Sequence, residues 1–318
     1  MATSEVITEK ENVVISAGAC SVSLCPQFGG KIASLRFMGQ ELLQAPLAPM
    51  APRTPTMPFD AGDASGWDEC FPSVADCIVD TATGPAHVPD HGDLWRVPWK
   101  LTGQGAGSLT LAGTCFSLPL ALERSVSLIE TARGVRLSLR YTVTNTGHAP
   151  VPWSWAAHPL FTAASGDRIL LPASIRSLRL EGSGGNRLGR NGDTVQWPIA
   201  TLADGSTADL SLAQAPDSAI GDKLFAGPLD AGEDWCALER PGAGVRIRVG
   251  FDPAATPYLG LWICYGGWPD GAGPKQVCVA LEPATAPVDS LAISGPWSRF
   301  LGPGEWSFWP MHVDLEAL

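Results

Sequence analysis

Between Gly134 and Asn145 the chain alternates without a break. Val135, Leu137, Leu139, Tyr141 and Val143 interleave with Arg136, Ser138, Arg140, Thr142 and Thr144. Successive side chains of a strand point to opposite faces, whereas a helix would scatter this pattern around its circumference. A strand with one face on a core and the other in water satisfies it, and its charges read as a solvated face. The 35 Gly and 28 Pro among 318 residues extend the constraint to the rest of the chain, because they suit many turns between short strands. The class is therefore mainly β. With no internal repeat and no break in composition, residues 1–318 are expected to form one domain.

Bulk properties narrow the function. A hydrophobic content of 45% excludes a mostly disordered chain, and no apolar run reaches membrane-spanning length. The N-terminal stretch MATSEVITEKENVV is polar and acidic and lacks the basic and apolar blocks of a secretory signal, so a cytoplasmic location is expected. A formal net charge of −11 argues against nucleic acid or an anionic membrane as partner and favours a neutral or cationic small molecule. The eight Cys (20, 25, 70, 77, 115, 236, 264 and 278) contain no C-x₂-C pair and no zinc-like spacing with His, so they read as reduced thiols filling space.

Two stretches carry candidate chemistry. In Gln276–Pro287, QVCVALEPATAP, the bulky Val277, Val279 and Leu281 share one face of a strand, and Cys278, Ala280 and Glu282 share the other. The second face suits a cleft, and Pro283 is expected to end the ladder with Glu282 at the rim. In Trp153–Pro159, WSWAAHP, Trp153 and Trp155 share a face opposite Ser154, Ala156 and His158. If the two polar faces meet, a carboxylate and an imidazole share one pocket, the minimum equipment for general acid–base work. The alternation alone is better matched by a rim Glu and a satisfied core His.

Other segments are less regular. Residues 44–63, rich in Pro and Ala, read as an ordered loop. GWDECFPSV sets Trp67, Asp68 and Glu69 together, which suits sugar recognition, with carboxylates accepting from hydroxyls and a ring packing on C–H faces; a solvated loop anchored by its Trp fits as well. PDHGDLWRVPW presents His91 beside a Gly, with Arg96 nearby, and no second His or Cys stands at ligand spacing from His91. The run EGSGGNRLG lacks the Lys-Ser/Thr ending of a phosphate loop and any helix after it.

Taken in order, GGKIASLRFMGQELL, GWDECFP, PDHGDLWRVPW, WSWAAHPLF, GDKLF and VALEP resemble the aldose 1-epimerase (galactose mutarotase) family over most of the chain, with GWDECFP and the His-Gly loop closest to its divergent bacterial members and their hexose-6-phosphate mutarotase relatives. The resemblance implies a large antiparallel β-sandwich, the galactose mutarotase-like supersandwich, holding a sugar in a cleft. By position it implies Glu282 as general base and His158 as general acid. His91 becomes a substrate-binding His, and Asp222 an acidic contact to sugar hydroxyls. It implies no metal and no organic cofactor.

The implied reaction interconverts α and β anomers. A base takes the C1 hydroxyl proton, an acid protonates the ring oxygen, the chain rotates, and reclosure reverses the roles. His158 is expected to be the protonated partner, held charged by a nearby carboxylate. Arg53 and Arg96 are the only arginines near these motifs, and Asp68 and Glu69 would repel phosphate, so an unphosphorylated sugar is expected. An acidic sugar held by Arg96 is the alternative ligand. A non-catalytic sugar-binding or sugar-sensing sandwich is the alternative function. Oligomeric state is left open.

Overall fold

The structure, a computed structural model, describes residues 5–9 and 12–318; residues 1–4, 10 and 11 of the stretch read for a leader lie outside the described residues. Among the described residues there are strands and short 3₁₀ turns but no α-helix, and no helix is long and apolar enough to cross a membrane.

Two antiparallel sheets carry the chain. In the twelve-stranded sheet, Lys31–Phe37, Trp67–Cys70, Ala156–Thr162, Val277–Ala284, Tyr258–Tyr265, Ile220–Ala226 and Ser177–Ser183 are successive neighbours. In the eight-stranded sheet the long Trp306–Ala317 strand lies between Val245–Phe251 and Gly134–Asn145. The alternation at 135–144 is realised as expected: Leu137, Leu139, Tyr141 and Val143 are buried, while Arg136 on the outer face makes a two-pronged pair with Asp314 of the neighbouring strand.

The inner faces of the two sheets meet in one apolar core, to which each fully buried Leu or Val side chain contributes roughly 1.5–3 kcal/mol. Trp309 stacks on Tyr141 and Trp153, with ring centroids 5.4 Å apart in both pairs, and closes one end of that core. All eight Cys are buried free thiols. Residues 44–63 form a loop, broken only by a 3₁₀ turn at Phe59–Ala61.

One local expectation is corrected. Pro283 does not end its strand, which runs to Ala284 with Pro283 in register opposite Leu259, and Glu282 is fully buried rather than at a rim. The missing N–H falls where the pairing between Ala156–Thr162 and Val277–Ala284 is interrupted. Ala156 pairs with Ala284 and Leu160 with Ala280, but no pair forms between them, where Pro159 and Pro283 both lack a donor. That register sets His158 opposite Glu282 inside the interruption.

Candidate active site

Side chains on the outer face of the large sheet build the floor of a cleft. Cys70, Ala156, Phe225, Tyr258 and Ala284 form one small buried cluster, and Leu160, Cys264, Cys278 and Ala280 form another. The alternation read in the sequence is correct for the 276–287 stretch: Val279 and Leu281 join the core, and Cys278, Ala280 and Glu282 lie on the opposite face, buried beneath the cleft. His158, Glu282 and Lys223 stand together on this floor. Loops supply the walls, with Phe59, His91, Trp268 and Asp289 among the lining residues, and the space they enclose is about 160 Å³.

Glu282 is the centre of the arrangement. Its Oε2 accepts a short hydrogen bond from Lys223 Nζ, while Oε1 accepts none and lies 3.8 Å from His158 Nε2. Gly260, opposite Glu282, makes room for the carboxylate, since a Cβ there would sit 2.9 Å from Oε2. Burial lifts the Glu282 carboxyl above its usual range, and Lys223 opposes that shift. Burial alone would weaken the Lys223 ammonium, but Glu282 and Asp289 outweigh it and hold Lys223 above its ordinary value. The direct ammonium–carboxylate contact decides for an ion pair.

His158 departs from expectation in one respect. Burial, reinforced by the charges of His91, Lys223 and Lys31, pushes its pKa well below the ordinary 6.5, so the ring is neutral at pH 7. The neighbouring carboxylate does not keep it charged, because Lys223 already neutralises that carboxylate. Nδ1 of His158 is buried without a hydrogen-bond partner.

His91 reaches the cleft as anticipated. Its backbone is left-handed (φ 58°), and the following Gly92 allows the turn: a Cβ at 92 would meet the Phe71 carbonyl at 2.1 Å. The ring stacks on Phe59 at 3.7 Å, meets the His158 ring edge-on at 5.2 Å, and its Nδ1 pairs with Asp90 Oδ2 at 2.9 Å.

The remaining sequence candidates do not line the cleft. Trp67 is fully buried in the core against Phe161. Glu69, next but one along the strand, also points inward, where Arg124, Tyr141 and Trp155 donate to it. Asp68 shares the outer face and pairs in register with His158, but its carboxylate is taken by Lys31 at 2.7 Å and Arg53 at 3.5 Å. Arg96 stacks on Trp95 and donates to the carbonyls of Met57, Asp90 and Gly92, so it holds the His91 loop rather than a ligand. Asp222 faces away from the cleft, bound by Arg187 and Ser183. Its neighbour Lys223 is the residue that enters, a slip of one position that changes the face. Sequence reasoning also missed Phe59, Asp289 and Trp268. They come from irregular segments, where no period marks a direction.

No family model matches the chain, and no curated protein matches it. Solved structures do. The Slr1438 protein of Synechocystis sp. PCC 6803 superposes with a TM-score of 0.69 at 18% identity, covering 100% of this chain and 97% of that one. A protein of Escherichia coli K12, provisionally named an aldose 1-epimerase, gives 0.68 at 18% identity over 96% and 98% of the two chains. A galactose mutarotase-like protein of Clostridium acetobutylicum gives 0.67 at 14% identity over 100% and 99%.

The fold is galactose mutarotase-like. At these identities the likeness concerns architecture, and a fold hosts many chemistries. The galactose mutarotase-like sandwich here carries its cleft on the outer face of the larger sheet.

Proposed function

We propose that this chain is an aldose mutarotase that interconverts the α and β anomers of a free, unphosphorylated sugar. The observation that carries the reading is the pairing of Glu282 and His158 across the interrupted ladder, with Glu282 Oε1 unclaimed and 3.8 Å from the imidazole. Glu282 Oε1 takes the C1 hydroxyl proton, and His158, as imidazolium, delivers one to the ring oxygen. The ring opens to the aldehyde, rotation about C1–C2 exposes the other face, and the reverse transfers close it. Lys223 fixes the carboxylate by its other oxygen and keeps it ionised. His91 and Asp289 offer hydrogen-bonding groups to hydroxyls, and Phe59, Trp262 and Trp268 offer ring faces.

The ligand class follows from the lining. Asp90 and Asp289 line the cleft, its one lysine, Lys223, is already paired with Glu282, and no arginine is among the lining residues, so a phosphate would find no clamp. The names of two structural relatives, a provisional aldose 1-epimerase and a galactose mutarotase-like protein, support a sugar as the ligand.

Glu282→Gln removes the base and keeps the size. It is expected to lower turnover by about 10²–10⁴-fold while the folded protein still binds sugar. Turnover near wild type would sink the assignment. The Lys223 contact, which ties up half of the carboxylate, is the observation favouring the second reading, a sugar-binding protein without turnover.

A further inference from the structure

Among the described residues, one group of three or more His, Cys, Asp or Glu brings its ligand atoms together. One ligand atom from each of Cys70, His91 and His158 lies within 4.8 Å of the other two. The three come from the Trp67–Cys70 strand, the turn after the Gly84–Val88 strand and the Ala156–Thr162 strand, so no sequence spacing announces them. Each is prepared for a cation. His91 pairs its Nδ1 with Asp90, leaving Nε2 as the free lone pair, the arrangement in which a carboxylate orients a metal-binding imidazole. His158 is 6% exposed, and its Nδ1 has no partner in the protein. Cys70 contributes a thiol at the cleft floor, 1% exposed.

We propose that Cys70, His91 and His158 form a site for a thiophilic divalent cation, with Zn²⁺ as the type ion. Two imidazoles and a thiolate are a soft ligand set suited to Zn²⁺ and poorly suited to Mg²⁺ or Ca²⁺. A tetrahedral Zn²⁺ with ordinary Zn–N and Zn–S lengths needs its ligands about 3.3–3.6 Å apart, so the side chains close by roughly 1 Å on binding. Cys70 is a buried free thiol. Binding therefore releases the thiol proton to the buffer as the S–Zn bond forms, with no change of oxidation state. The proposal stands on this geometry; a cation held by His158 and His91 takes both from the sugar, so the loaded form is the inactive form of the enzyme proposed above, and the site is read from metal affinity rather than turnover.

The test titrates Zn²⁺ into the full-length protein against a chromophoric chelator, with Co²⁺ as a spectroscopic substitute. One saturable equivalent is expected, with a thiolate-to-cobalt charge-transfer band. Cys70→Ser should abolish that band and weaken Zn²⁺ binding by more than tenfold. Asp90→Asn, at a half-exposed position that leaves the core intact, should weaken it by about 10–100-fold even if Cys70→Ser fails to fold. Absence of a saturable equivalent, absence of the band, or unchanged affinity in Asp90→Asn would overturn the site.

Discussion

Glu69 and Glu282 are both buried carboxylates, and what surrounds each oxygen separates their roles. Glu69 receives donors from Arg124, Tyr141 and Trp155 on both oxygens and is buried away from the cleft. Glu282 is held on one oxygen only. Glu69→Gln should therefore act on stability, costing about 3–5 kcal/mol by leaving Arg124 buried without its counter-charge. Urea denaturation reads that loss, and the protein that remains folded should keep its KM; wild-type stability would contradict the inward placement. The acid–base pair makes a second demand at this scale. Glu282 is raised above 4.5 and His158 lowered below 6.5, so the reactive combination of carboxylate and imidazolium is a minority state at pH 7. Its population falls as pH rises through the lowered His158 pKa and falls again as pH drops through that of Glu282. The kcat/KM profile should peak on the acid side of 6.5. A rate that holds level from there into alkaline solution would show that His158 acts only as a neutral hydrogen-bond donor.

At the scale of strands, register decides which residues reach the cleft. The motif GDKLF was legible, but its side chains alternate, and the candidate Asp222 lies one position away from the residue that enters. Lys223→Gln should lower kcat/KM by about tenfold or more. It should also move the acidic limb of the pH profile upward, because Glu282 loses the ammonium that opposes its burial. Asp222→Asn should leave that limb in place and act on stability through Arg187. A shifted limb in Asp222→Asn with none in Lys223→Gln would reverse the assignment. Alternation with bulky residues on one side made the 276–287 and 135–144 strands readable. The GWDECFP strand was not readable in this way, because all four of its residues, Trp67 to Cys70, are buried and a two-sided strand carries no contrast between faces. Prolines misled for a related reason: a Pro usually marks a strand's end, yet here two of them share one gap in the ladder.

At the scale of the molecule, the sandwich places the cleft on the outer face of the larger sheet, roofed by loops that periodicity cannot orient. The mainly β class was visible in turn density and alternation, whereas the antiparallel sandwich came from the family resemblance of the ordered motifs. The walls were not, since Phe59 and Asp289 arrive through segments without a period. The cation inventory bears on the ligand as well: Arg53 and Arg96, which sequence placed near the site, are spent on Asp63, Asp68 and backbone carbonyls. The account predicts a cleft that accepts an uncharged ring. The most direct test is the rate of anomeric exchange, measured by NMR saturation transfer over a panel of neutral aldoses, uronates and phosphorylated hexoses. Faster exchange of at least one neutral aldose, with no effect on phosphorylated hexoses and loss of the effect in Glu282→Gln, is the predicted result. Sugar binding without faster exchange of any member of the panel would contradict catalysis by Glu282 and His158.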